Sequence, residues 1–227
     1  MIESNSDRHN GAFADERRCM RPLASIATIL SLTCLTIAVN SQESAITLND
    51  QTLGSPEAPV TLIEYGAPSC PVCARFNADV FPRIKRKYID TGKVRYIFRL
   101  FPLRAEDTEA ERLARCMPGN KYFQFMDMLF ETQNKWDPEF DAVDPRQALL
   151  TLAETTGLPQ AKAAECIGDA SLDPVISKIA KDAQVKYAVN GTPTFVINGI
   201  AQSSGFRSFK ELSALLDTEL KRRRTAP

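Results

Sequence analysis

The chain has 227 residues, 44% hydrophobic and 25% charged, with 28 Lys plus Arg against 28 Asp plus Glu. This composition suits one globular domain with an insertion, and it excludes a charge-driven nucleic-acid binder or an acidic solvating chain. The single histidine, His9, lies in a polar N-terminal segment, so a Ser-His or Cys-His nucleophile pair, or a metal site of several imidazoles, is hard to assemble.

Residues 1–22 form a polar, basic leader. Residues 23–41 carry the apolar run Leu23–Val39, with Arg17, Arg18 and Arg21 before it and Asn40, Ser41 and Glu43 after it. A cationic flank, an apolar stretch and a polar exit make a signal peptide or an uncleaved membrane anchor, and both export the rest of the chain. Candidate cleavage points follow Ala38 and Ser41, and Met20 is an alternative start. The residues before Cys34 fit a lipidation signal poorly. The exported part, residues 42–227, then holds four cysteines: Cys70, Cys73, Cys116 and Cys166. An even number in an oxidising compartment favours disulfides.

In chain order, Ile46-Thr47-Leu48 is a short β-like stretch, and Gly54–Pro59 is a loop. Val60–Tyr65 has the β-branched content and length of a buried strand. After the turn at Gly66–Ser69, Cys70-Pro71 opens a helix predicted to run to about Asp90, with Phe76, Val80, Ile84 and Tyr88 as its apolar stripe. Val94–Phe101 is the next strand, so the two strands should be parallel. Residues 105–188 read as an all-helical insertion, with segments near 106–116, 119–133, 145–156, 160–167 and 172–189. Thr194–Asn198 is a strand, Gly199 a turn, Ile200-Ala201 a return strand, and Phe206–Arg224 a last helix. The predicted class is α/β.

Cys70-Pro71-Val72-Cys73 carries the chemistry. At a strand-to-helix turn in a βαβ unit, C-x-x-C reads as a redox pair. The first cysteine meets the free N–H groups and positive end of the helix, which stabilise a thiolate. Thiol pKa values there fall from about 8.5 toward roughly 3.5–7.5. Cys70 is therefore the attacking cysteine, and Cys73, one turn further in, is the resolving one. A structural disulfide or half of a zinc site are the bland alternatives, but no second C-x-x-C exists.

With VTLIEYGAPSCPVC, a strand ending FRLFPL and GTPTFVING in this order, the chain resembles the DsbA-like thiol–disulfide oxidoreductases of the thioredoxin superfamily from about residue 46 onward. The resemblance implies a thioredoxin-like fold with the helical insertion between the βαβ unit and the hairpin half. It implies that Pro193 is a cis-proline facing the active site. It also implies that the backbone of Thr192 pairs with extended substrate. Glu64, in an otherwise apolar strand, would lie beneath the resolving thiol and take its proton; an edge-exposed Glu64 is the alternative. Two positions depart from the strong oxidases of the family. Val72 stands where they have His, and Thr192 where they have Val. Val72 offers the thiolate no hydrogen bond or charge, so a less oxidising couple is expected.

Cys116 and Cys166 fall in the insertion, where they form either a structural disulfide or two buried thiols. The reading that follows is an exported dithiol–disulfide oxidoreductase of the cell envelope that forms disulfides in reduced or misoxidised exported proteins. It needs no metal or organic cofactor, since the cysteines carry the electrons. By resemblance, a membrane quinone oxidoreductase of the DsbB kind recharges it. It is expected to act as a monomer. Thr192 before the cis-proline also resembles the disulfide isomerases, but residues 40–58 are too short for the dimerisation domain that those need. A reductase or isomerase of the same fold is the first rival. A non-enzymatic chaperone module that holds extended chains is the second.

Overall fold

A computed structural model describes residues 50–225. The leader, the apolar run and the Ile46-Thr47-Leu48 stretch lie outside the described residues. The first strand, β1 (Gln51–Leu53), falls a few residues after that stretch. β2 (Val60–Gly66) and β3 (Val94–Leu100) pair in parallel, with Val60 opposite Val94 and Gly66 opposite Leu100. β4 (Thr194–Ile197) runs antiparallel to β2, and β5 (Ile200–Ala201) closes a hairpin on β4. The order across the sheet is β1-β3-β2-β4-β5. The hairpin turns on Asn198 and Gly199, both at positive φ, as a tight two-residue turn requires.

α1 (Pro71–Asp79) departs from the single helix predicted over 70–90. It ends at Val80, α2 (Phe81–Ile84) follows, and Lys85–Ile89 winds as a π-turn. Pro82 is the cause. It has no N–H to continue the ladder and its ring crowds the preceding turn, and Val80 sits at φ −117°. Phe76, Val80, Ile84 and Tyr88 are nevertheless all buried, because the bend keeps their stripe on one face.

The insertion contains α3 (Ala105–Cys116), α4 (Tyr122–Glu131), α5 (Gln133–Trp136), α6 (Pro145–Thr156), α7 (Gln160–Gly168) and α8 (Asp173–Tyr187). The segment predicted at 119–133 is shorter than expected. Gly119 takes a left-handed φ of 62° before the helix, and Thr132 at φ −122° separates α4 from α5. The last helix, α9 (Phe209–Thr225), starts three residues later than Phe206. Ser208 and Glu211 cap it reciprocally: Glu211 N–H donates to Ser208 Oγ, and Ser208 N–H donates to the Glu211 carboxylate.

Side chains alternate across β2, so its two faces enter different cores. Leu62 joins Phe76, Tyr96, Phe98, Phe195 and Leu216 on the face covered by α1, α9 and the insertion. Ile63 and Tyr65 join Ile97, Val196 and Ala183 beneath α8. Phe125, Phe130 and Trp136 are buried and Phe123 is half-buried, all within the first core. Cys116 at the end of α3 is bonded to Cys166 in α7. Among the described residues, no helix is long and apolar enough to cross a membrane.

Candidate active site

The site forms where β2 ends. Gly66 is required there: a Cβ would lie 2.8 Å from the Phe98 ring and 3.3 Å from Glu64 Oε1. The chain then turns through Ala67–Ser69, with Cys70 N–H donating to the Ala67 carbonyl. Cys70 is the N-cap of α1 in extended conformation, and Pro71 follows at a position where its missing N–H costs nothing. Cys70 Sγ accepts the Cys73 N–H at 3.3 Å. The first turn of α1 contains no acidic residue, so nothing on that turn repels a thiolate.

Cys70 and Cys73 are both free thiols. Their environments push them in opposite directions. The Cys70 thiol is lowered to about 6, first because the Cys73 thiol hydrogen-bonds its thiolate; the N–H groups of Cys73 and Val72 add to this, and partial burial opposes it. The Cys73 thiol is pushed well up, first by burial, then by its bond to Cys70 and by the Glu64 charge. One sulfur is thus shifted toward the thiolate near neutral pH while its neighbour keeps its proton. This pair contains a ready nucleophile and a protonated partner one helical turn away.

Glu64 is buried, at 2% exposure, on the central strand. It accepts a hydrogen bond from Tyr96 Oη at 2.8 Å. Tyr96 stands opposite Leu62, diagonal to Glu64 across the β2–β3 ladder, a distance that a long aromatic side chain spans. Burial raises the Glu64 carboxyl from 4.5 to about 8; the Tyr96 bond opposes that, and the Cys70 charge adds a smaller push upward. A carboxyl in that range can both hold and release a proton near neutrality.

Across from the cysteines, the Thr192–Pro193 peptide is cis. Cys70 Sγ lies 3.5 Å from the Thr192 carbonyl oxygen, to which the protonated thiol can donate. Val72 is 39% exposed beside them. The structure therefore brings Cys70, Cys73, Glu64, Val72, Thr192 and Pro193 to one end of the sheet. Cys116 and Cys166 are joined to each other within the insertion. Sequence reasoning missed Tyr96, Asp107 and Gln133, and it gave Ser69 only a place in the turn before the helix. Ser69 N–H and Oγ donate to Asp107, and Gln133 Nε2 donates to the Pro68 carbonyl.

A sequence model of the thioredoxin family matches residues 47–218. The probable disulfide bond formation protein D of Bacillus cereus is 30% identical over 178 residues, covering 76% of this chain and 79% of that one. The crystal structure of Wolbachia pipientis alpha-DsbA1 superposes with a TM-score of 0.73 at 31% identity, covering 81% of this chain and 98% of that one. The chain belongs to the DsbA-like thiol–disulfide oxidoreductases of the thioredoxin superfamily. A putative protein-disulfide oxidoreductase of Rickettsia bellii is 31% identical over 172 residues, 74% of this chain. The match spans 64% of that protein's length, under two thirds. Membership accounts for the sheet order, the position of the C-x-x-C at the start of α1 and the helical insertion.

Proposed function

We propose that this DsbA-like protein is exported and forms disulfides in other exported proteins by giving up a Cys70–Cys73 disulfide. The observation that carries the reading is the placement of Cys70 Sγ at the start of α1, holding the Cys73 N–H and facing the cis Thr192–Pro193 peptide. A substrate thiolate attacks Cys70 Sγ of the disulfide. The Cys70–Cys73 bond breaks, Cys73 leaves and takes up a proton, and a mixed disulfide joins substrate to Cys70. A second substrate thiolate attacks the substrate sulfur and expels Cys70 as thiolate. One protein disulfide forms, one dithiol remains, and two electrons pass to the enzyme. Thr192 offers backbone to an extended substrate, a recognition mode blind to side-chain identity.

The fate of the leader, cleaved or retained as an anchor, sets whether the protein is free in the periplasm or tethered. A membrane quinone oxidoreductase of the DsbB kind would remove the two electrons again. Direction follows from the thiolate: the better the reduced form is stabilised, the more oxidising the disulfide. A Cys70 pKa of about 6 falls between about 7 for thioredoxin and about 3.5 for the strongest oxidase. Equilibration with glutathione is therefore expected to give a potential between about −270 and about −120 mV. Val72→His, which adds a donor beside the thiolate, is expected to lower the Cys70 pKa and move the potential upward. A wild-type potential at or below that of thioredoxin would instead make the protein a reductase.

In this reading Glu64 exchanges a proton with Cys73, giving it up as Cys73 leaves and accepting it when Cys73 attacks a mixed disulfide in the reverse, resolving step. Glu64→Gln is expected to slow resolution by Cys73 about 100-fold at pH 7, within the usual range for a lost acid–base group. It also carries a stability signature. Folding raises this carboxyl from 4.5 to about 8, so between those pH values the folded state binds more protons than the unfolded state. Its stabilising contribution is complete below pH 4.5 and falls as pH rises to 8. In urea titrations of the reduced proteins, Glu64→Gln should gain a few kcal/mol on wild type between pH 4 and pH 8. A pH-independent difference would count against a protonated, buried Glu64.

A further inference from the structure

The insertion reaches into the active-site loop at two points. Asp107, in the first turn of α3, is fully buried. Its Oδ1 accepts Ser69 N–H at 2.8 Å, and its Oδ2 accepts Ser69 Oγ at 2.9 Å. The same Oδ2 accepts the N–H groups of Leu103 and Arg104, which tie the carboxylate to the start of its own helix. From α5, Gln133 Nε2 donates to the Pro68 carbonyl at 2.6 Å, and Gln133 is itself buried. Ser69 is also fully buried and immediately precedes Cys70. Capping α3 requires only the Leu103 and Arg104 bonds. The two bonds to Ser69, and the separate one to Pro68, cross from the insertion to the loop that feeds α1.

We propose that Asp107 and Gln133 are positioning residues: they form a two-point clamp by which the helical insertion fixes Pro68 and Ser69, and through them holds Cys70 Sγ in register with the Cys73 N–H. The proposal rests on the reading of Cys70 as the reacting thiolate. The hydrogen bond to Cys70 Sγ at 3.3 Å weakens steeply with misalignment, so a small drift of the loop removes stabilisation from the thiolate.

The sign of the effect separates this clamp from simple electrostatics. Removing a buried negative charge favours a neighbouring thiolate and would lower its pKa. Loosening the clamp raises it. Asp107→Asn is the sharp variant, because its amide cannot accept at both oxygen positions, so at least one donor set meets an N–H₂ group. The experiment is the absorbance titration of the thiolate in reduced wild type, Asp107→Asn, Ser69→Ala and Gln133→Leu, alongside thermal melting of each. Expected is a Cys70 midpoint raised by about one pH unit in Asp107→Asn, a tenfold loss of thiolate on the flank of the curve, with smaller rises in the other two. A role confined to capping α3 would lower the melting temperature and leave the midpoint in place. An unmoved or lowered midpoint in folded Asp107→Asn overturns the clamp. If that variant does not fold, unmoved midpoints in both Ser69→Ala and Gln133→Leu overturn it. A wild type with no thiolate below pH 8 overturns the underlying reading of Cys70 instead.

Discussion

Cys70→Ser is expected to reduce disulfide transfer to the uncatalysed background. A serine hydroxyl cannot form the disulfide that is handed on, and at neutral pH it is not deprotonated by the Cys73 thiol and N–H groups that bring a thiol to about 6. Cys73 cannot substitute, since burial holds its proton in place. The complementary variant, Cys73→Ala, should retain the nucleophile but lose its resolving partner. Incubated with clients that already contain a disulfide, which Cys70 attacks with release of one client thiolate, this variant should accumulate Cys70–client mixed disulfides as reducible adducts on non-reducing gels. Suppression of client aggregation that survives unchanged in Cys70→Ser, where disulfide transfer is lost, would favour the non-covalent chaperone reading.

The double variant Cys116→Ala/Cys166→Ala is expected to lose about 4 kcal/mol of stability on the chain-entropy estimate for its loop. The two cysteines are separated by 50 residues and bonded across α3 and α7, so the bond removes much freedom from the unfolded chain. Cys166 is also buried, and truncation to Ala leaves a small cavity that adds to the loss. For a domain of this size the melting temperature should fall by roughly 10 °C, as measured by circular dichroism. A fall of only a degree or two would mean that the bond contributes little and that helix packing alone holds the insertion.

Much of this architecture can be read from local pattern. The parallel pair β2 and β3 followed from two β-branched runs around a helix. The hairpin followed from Gly199, although the turn also takes Asn198, which the sequence reading places in the strand, and the position of the reactive pair followed from Cys70-Pro71 at a helix start. The bend at Val80 was visible in principle, since Pro82 sits inside the predicted helix. It was hidden because the apolar stripe continues across the break. Glu64 stood out as a carboxylate in an apolar strand, but its partner did not. Tyr96 reaches it only through the register of the ladder, which places Tyr96 opposite Leu62, and no local pattern specifies that register. Asp107 was harder still. It reads as an ordinary acidic residue in the first turn of a helix, where such residues are favoured anyway, and its bond to Ser69 spans 38 positions. The sequence of the insertion announces helices, whereas its role at the site depends on where α3 and α5 dock against the loop after β2.

The most direct test of the whole account is a single-turnover exchange. Oxidised protein is mixed with an equal amount of a reduced, unfolded polypeptide containing two cysteines, then quenched with acid, and the thiols of each partner are mapped. The account predicts that the polypeptide gains one disulfide while Cys70 and Cys73 become free thiols in equal measure, with Cys116–Cys166 intact. A Cys70–Cys73 bond that persists while the polypeptide stays reduced would contradict it.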